Sequence, residues 1–389
     1  MVRLRSSFLA SSTALLLVFG ATAQAQGATQ PDQVLRKNSK GTIVTVSGKV
    51  KVATLDEVVI TEGNGRDRTV DGDDVVRVTF GTIPPAMVEG RAYWNKGDYE
   101  NAAAKFKVAA GDASASEAVR ARARLKAIEA FMAQGARDQS AFALAKSEAE
   151  TFASEFATSR DLPNARYLLA RAKRLGGDAA GAATDFQALA NDAMGEGRLE
   201  SYPAVLGFRA GIAGAEALVE AGDTLAAREL YLKLDGALPR AIADATDPKD
   251  ARVLTYLQAD ARLGEGFCML AGESLAQART FFQGKLTNAG DNLAQRFGAT
   301  LGLAEVHLAD GKHRDAQLAF AEVCALDHTS RDRVARALVG LAKASLELPD
   351  SSGPADAKAR IQTVLCEYGD TPAILEGAKM AKTLGVECP

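Results

Sequence analysis

A chain of 389 residues with 46 Lys and Arg against 49 Asp and Glu carries a net charge of −3. That balance argues against a nucleic-acid binder, which neutralises phosphates with a basic excess. Hydrophobic residues make up 47% of the chain but aromatic residues only 6%. The core is therefore expected to rest on small side chains, alanine above all, rather than on bulky aromatic area.

Arg3 and Arg5 precede an apolar run from Phe8 to Ala23, and Ala23-Gln24-Ala25 has the form of a signal-peptidase site. Residues 1–25 are expected to be a secretory signal, leaving a mature chain of net charge about −5 in the periplasm or cell envelope. The run falls short of the roughly 20 apolar residues that a membrane span needs, although an uncleaved anchor is the alternative. No later segment is apolar enough to span.

Residues 26–41 are polar and aperiodic and read as a flexible leader. A small β unit is predicted over 42–83. Thr42–Val52 reads as one strand bent at Gly48, and Leu55–Thr61 as a second. Gly63-Asn64-Gly65 turns the chain into a third strand, Arg66–Val70, and Asp71-Gly72-Asp73 turns it into a fourth, Val75–Phe80. Such a set suits a small β-barrel-like or curled sheet, too small to be stable without leaning on its neighbours. Pro84-Pro85 closes it.

Helical periodicity runs from 84 to 384, punctuated by glycine junctions near Gly97, Gly135, Gly177, Gly222, Gly272 and Gly311. Counting from Gly97, the best unit has Gly90 and Tyr93 before the junction, and Ala102, Phe106 and Ala109 after it. The same offsets from Gly177 give Ala170, Lys173, Ala182, Phe186 and Leu189. From Gly222 they give Ala215, Leu218, Ala227, Tyr231 and Leu234, and from Gly311 they give Ala304, His307, Ala316, Phe320 and Val323. Glycine accepts the left-handed turn that ends a first helix. The alanine sits where the second helix crosses it, and the aromatic ring four residues on shares that face and fills the gap toward the next unit. Gly135 and Gly272 mark irregular units, whose small residues Ala141 and Ala278 come one place late. A last hairpin is expected near 335–368 and a capping helix near 373–384.

This pattern resembles the tetratricopeptide repeat, with spacings of 38 to 50 residues in place of about 34. The resemblance implies a mainly α fold, a solenoid of six or seven helical hairpins whose first helices line a concave groove. It places Arg91, Trp94, Asn95, Arg122, Glu129, Arg171, Arg174, Arg209, Glu216, Arg262 and Glu305 on that groove. Arginine clamps carboxylates and tryptophan is enriched at binding hot spots. The simpler reading is that most of these arginines pair with nearby acids, and that Trp94 packs against the β unit.

Catalytic constellations are missing. No nucleophile elbow, phosphate loop or His-Glu-x-x-His helix is present, and Asp71, Asp73 and Asp74 lack the full calcium-loop spacing. His307 takes the slot of Tyr93, which packing explains, and His313 falls in a turn. No metal, cofactor or enzymatic activity is expected. Of the four cysteines, Cys366 and Cys388 flank the capping helix and form a candidate disulfide, whereas Cys268 and Cys324 read as buried hydrophobes. The expected function is an exported scaffold that binds a peptide or protein partner. The alternative is a structural subunit of an envelope complex, docking through its β unit.

Overall fold

The computed structural model describes residues 30–194, 202–272, 274–349 and 352–387. The expected signal and its cleavage site lie outside them. Five strands form one antiparallel sheet in the order β4-β3-β2-β1-β5: β1 (Asp32–Lys37), β2 (Ile43–Ala53), β3 (Glu57–Glu62), β4 (Asp67–Asp71) and β5 (Val75–Thr79). Only the 3-10 turn Gly72–Asp74 separates the two outermost strands in sequence, so the sheet must curl to bring its edges together. Its inner face carries Val34, Val46, Val50, Val58, Ile60, Val70, Val75 and Val78.

The leader is corrected: β1 occupies 32–37, between β2 and β5. Its sequence shows one fully buried apolar side chain, Val34, too little for an alternation signal. What fixes it is tertiary. The buried Asp32 carboxylate accepts hydrogen bonds from the amides of Val50 and Gly81, each at 2.8 Å. The predicted bend at Gly48 is also displaced, because the register shifts between Val50 and Val52. At Gly48 a Cβ would lie 2.1 Å from the Thr61 carbonyl oxygen, so glycine there permits close strand approach.

Fifteen helices follow among the described residues, forming seven hairpins and a cap. The pairs are α1 (Pro85–Asn95) with α2 (Tyr99–Ala110), α3 (Glu117–Gly135) with α4 (Ala141–Glu155), and α5 (Leu162–Leu175) with α6 (Ala179–Met194). Then come α7 (Ala204–Glu220) with α8 (Thr224–Asp244), and α9 (Pro248–Ala271) with α10 (Leu275–Thr287). The last pairs are α11 (Leu293–Ala309) with α12 (His313–Leu326) and α13 (Arg331–Leu346) with α14 (Gly353–Glu367), capped by α15 (Ile374–Leu384). Pro85 opens α1 at its first position, where its missing N–H costs nothing. The long Gly222–Gly272 interval is taken up mainly by helix, because α8 and α9 run 21 and 24 residues.

Each helix packs on the next, and the first helices α3, α5, α7, α9, α11 and α13 also touch in succession. That double set of contacts makes the stack a solenoid of the expected kind. Gly97, Gly177, Gly222 and Gly311 all have positive φ, from 73° to 90°, as their junction role demands. The aspartate after the glycine then caps the second helix: Asp98 accepts from the Asn101 amide and Asp223 from that of Ala226. Gly135 and Gly272 behave differently. Gly135 belongs to α3, and Gly272 ends α9 at φ −85°.

Ala102, Ala182, Ala227 and Ala316 are inaccessible at the crossings, and Phe106, Phe186, Tyr231 and Phe320 are buried beside them. These rings reveal a second glycine set. A Cβ on Gly264 of α9 would stand 2.2 Å from the Tyr231 ring, one on Gly302 of α11 2.4 Å from Phe282, and one on Gly340 of α13 2.3 Å from Phe320. Each of these three rings therefore seats on a bare glycine of the next hairpin, whereas Phe106 seats on Gly90 of its own.

Candidate functional site

Charged side chains of the first helices pair across the stack, from one hairpin to another. Arg174 of α5 is buried at 7% side-chain exposure between Glu216 and Glu220 of α7, at 2.8 and 2.6 Å. Arg333 of α13 holds Asp327 at 2.8 Å and reaches Asp260 of α9. Arg336 of α13 grips Glu305 of α11 and lies over the Phe267 ring of α9, 4.4 Å from its centroid.

Charged groups of separate hairpins also act on one another. Burial pushes the Asp332 carboxyl up, Glu216 adds to the effect, and Arg171 and Arg174 oppose it. Burial likewise pushes Asp260 up to about 6 against the pull of Arg333, with Glu216 and Asp332 contributing. Charged groups of α5, α7, α9 and α13 are thus within electrostatic reach of one another, and Asp332 and Arg336 are exposed.

The residues expected on the groove divide into four sets. Arg122, Arg174 and Arg262 are committed to internal pairs, with Asp161 at 2.6 Å, with Glu216 and Glu220, and with Asp235 at 3.0 Å. Glu129 pairs with Lys126 on its own helix. Trp94 is half-buried against the first core cluster, edge-on to Tyr99 with ring centroids 5.2 Å apart. Arg91, Asn95 and Arg209 are exposed, and neither arginine has an ion-pair partner among the described residues. Arg171 is different again: its Nη2 donates to the main-chain oxygen of Asp370 at 2.6 Å, across 199 residues of sequence.

That hydrogen bond belongs to a contact which sequence reasoning missed. The turn between α14 and α15 lies against the α3–α4 corner, where a Cβ on Gly369 would come within 2.4 Å of the Ala136 Cβ. Ile374 joins the apolar cluster built by α1 to α5, with Leu365 and Leu375 beside it. No pattern local to residues 368–375 signals a partner some two hundred residues away.

The β unit is fastened at the other end of α4, to the loop between α4 and α5. Thr54 bridges to Ser159, the Leu55 amide donates to the Thr158 oxygen, and the Arg160 amide donates to the Ala53 oxygen. Arg160 also donates through Nη1 to the Gly72 oxygen at 2.8 Å and through Nη2 to the Val75 oxygen. Arg122 lies over the Phe80 ring.

His307 is half-buried in the slot that Tyr93 fills elsewhere, and its Nδ1 has no hydrogen-bond partner. No group of three or more His, Cys, Asp or Glu is placed to hold a metal among the described residues. Cys268 and Cys324 are free thiols, with burial pushing both up to about 11. Cys366 is disulfide-bonded, and Cys388 lies outside the described residues. No described helix is long and apolar enough to cross a membrane.

No family model matches the chain, and no curated protein matches it. A solved structure of a tetratricopeptide repeat protein from Parabacteroides merdae is similar at TM-score 0.48 and 13% identity, over 77% of this chain and 95% of that one.

Proposed function

We propose that this chain is an exported, non-catalytic scaffold that holds a peptide or protein partner on its concave helical wall in the cell envelope. The observation that supports it most is the run of charge pairs between first helices, from α5 to α7 and from α9 and α11 to α13, with Arg209 exposed and unpaired on α7. A preformed wall loses little conformational entropy on binding, which is how a rigid stack gains affinity. Fixed internal pairs hold the helices in place, and the remaining charges are left for a ligand. Export rests on the sequence of residues 1–25. The β unit gives its Gly72–Val75 end and the start of its β2–β3 turn to its own α4–α5 loop, which favours the wall over the sheet as the partner surface.

Photo-crosslinking in intact cells tests this reading. A reactive residue at Arg209 is expected to capture a defined partner, whereas one at Leu225, 75% exposed on the second helix α8, is not. Charge reversal at Arg91, Arg171 and Arg209 is expected to abolish capture with helix content intact. Equal capture from both positions, or capture that survives the reversals, rules the wall out.

A further inference from the structure

We propose that the turn between α14 and α15 is an intramolecular ligand: a reversible clasp that covers the binding edge of α3 and α5 and gives way to a partner segment of the same chemistry. This rests on the reading of the concave wall as a binding surface. The tip is built like a presented peptide. The Thr371 hydroxyl and amide both donate to the Tyr368 oxygen, and the Ile374 amide donates to the Thr371 oxygen, which closes residues 368–374 into a compact turn. Arg331 braces the turn from its own hairpin, bonding the Asp370 carboxylate at 3.1 Å and the Glu367 oxygen while lying over the Tyr368 ring at 4.5 Å.

So braced, the turn offers three groups to the second and third hairpins. Gly369 seats against Ala136 at a distance no side chain tolerates. The Asp370 main-chain oxygen meets Arg171. Ile374, 1% exposed, enters the cluster of the first five helices. A small residue, a main-chain carbonyl and an aliphatic side chain one turn later are features that any peptide can present. None depends on the charge of the tip itself, because the Asp370 carboxylate faces Arg331 rather than Arg171. A partner carrying that triplet would find an arginine already aimed and an aliphatic slot already shaped.

Release is testable without altering the wall. Gly369→Val forces the tip off Ala136 and leaves every side chain of α3 and α5 in place. The full-length chain and this variant are compared by hydrogen–deuterium exchange and by binding of a labelled peptide spanning residues 368–377, added in trans. In the variant, exchange is expected to rise in the last turn of α3, in α5 and in 369–377, with α8 to α12 unchanged. The peptide is expected to bind the variant at least tenfold more tightly than the wild type, and the same peptide with Ile374→Asp is expected not to compete. Equal exchange in the two proteins, or equal peptide affinity, overturns the clasp. A stable dimer of the variant overturns it in favour of exchange of the tip between copies. If Gly369→Val does not fold, Arg331→Ala loosens the tip from its own side and is read in the same way. Crosslinking at residue 209 reads capture of a partner and exchange at 369–377 reads the clasp, so the scaffold reading and the clasp fail separately.

Discussion

Gly340→Ala isolates the seat between a ring and the next hairpin. Gly340 is buried on α13, and an ideal Cβ there would stand 2.3, 2.4 and 2.7 Å from three carbons of the fully buried Phe320 ring. Relief to ordinary contact needs a movement of about 1 Å in a close-packed interior. Overpacking of this kind costs about 1–3 kcal/mol, and the contact is short enough to take the upper end. Alanine returns about 1 kcal/mol through helix propensity. The net expectation is a loss of about 2 kcal/mol. Gly236→Ala on α8 is the matched control, because nothing lies within 4 Å of its Cβ. It is expected to gain about 0.5–1 kcal/mol. Urea unfolding followed by circular dichroism gives both values. In a Phe320→Ala background the Gly340→Ala change is expected to reverse sign, since the obstructing ring is gone, and the double-mutant cycle reads that coupling directly. A Gly340→Ala protein as stable as the wild type, or a penalty that persists without the ring, would refute the argument.

Arg333→Ala leaves Asp327 buried with no guanidinium opposite it and is expected to cost about 3 kcal/mol by the same unfolding assay. Asp260 supplies a pH dependence. Its folded carboxyl is held up at about 6, above the ordinary 3.8, so its contribution is fully present below pH 4 and is lost as pH rises through 6. Over that window the wild type should lose stability relative to Asp260→Asn by on the order of 3 kcal/mol, read from unfolding free energies at each pH. A flat difference removes burial as the cause. Gly222→Ala, at φ 88°, is expected to lose about 1 kcal/mol. Gly272→Ala, at φ −85° with its nearest neighbour at 3.4 Å, is expected to be neutral or stabilising by thermal melting.

What was legible in the sequence is what short-range geometry dictates. Glycine-marked junctions, crossing alanines and the rings four residues later were found because each constraint is repeated and acts within one hairpin. The irregular units were legible as well: Ala141 and Ala278, one place late, are both fully buried, while their glycines end no helix in the left-handed turn. What escaped acts between segments. β1 is held by Asp32 and by neighbours on both sides, not by its own alternation. Gly264, Gly302 and Gly340 lie inside helical patterns, where a glycine reads as a mere weakness until the ring of the preceding hairpin is placed on it. Most groove arginines could be located but their partners could not. Arg122 finds Asp161 in the same corner that receives the β unit, and Arg174 finds acids on the following first helix.

These two classes of contact give the molecule an unusual distribution of stability. In an open solenoid each hairpin touches only its neighbours, so stability is a sum of local units and interfaces, and the ends fray. Here the last hairpin and cap reach the second and third hairpins through Gly369, Asp370 and Ile374. The β unit is fastened at the loop between α4 and α5, at the opposite end of α4 from that contact. The second and third hairpins therefore carry three loads: their own stacking, the sheet and the clasp. An end that would fray in an open stack is tied to the middle of the chain. The link consists of one hydrogen bond, one glycine contact and a small apolar patch of Ile374, Leu365 and Leu375 rather than a full helix–helix interface, so it is the part of the structure that a modest binding energy can undo. The ring-on-glycine seats at Gly264, Gly302 and Gly340 take no part in that link, so a partner that displaces the tip would open the ring without unfolding a repeat.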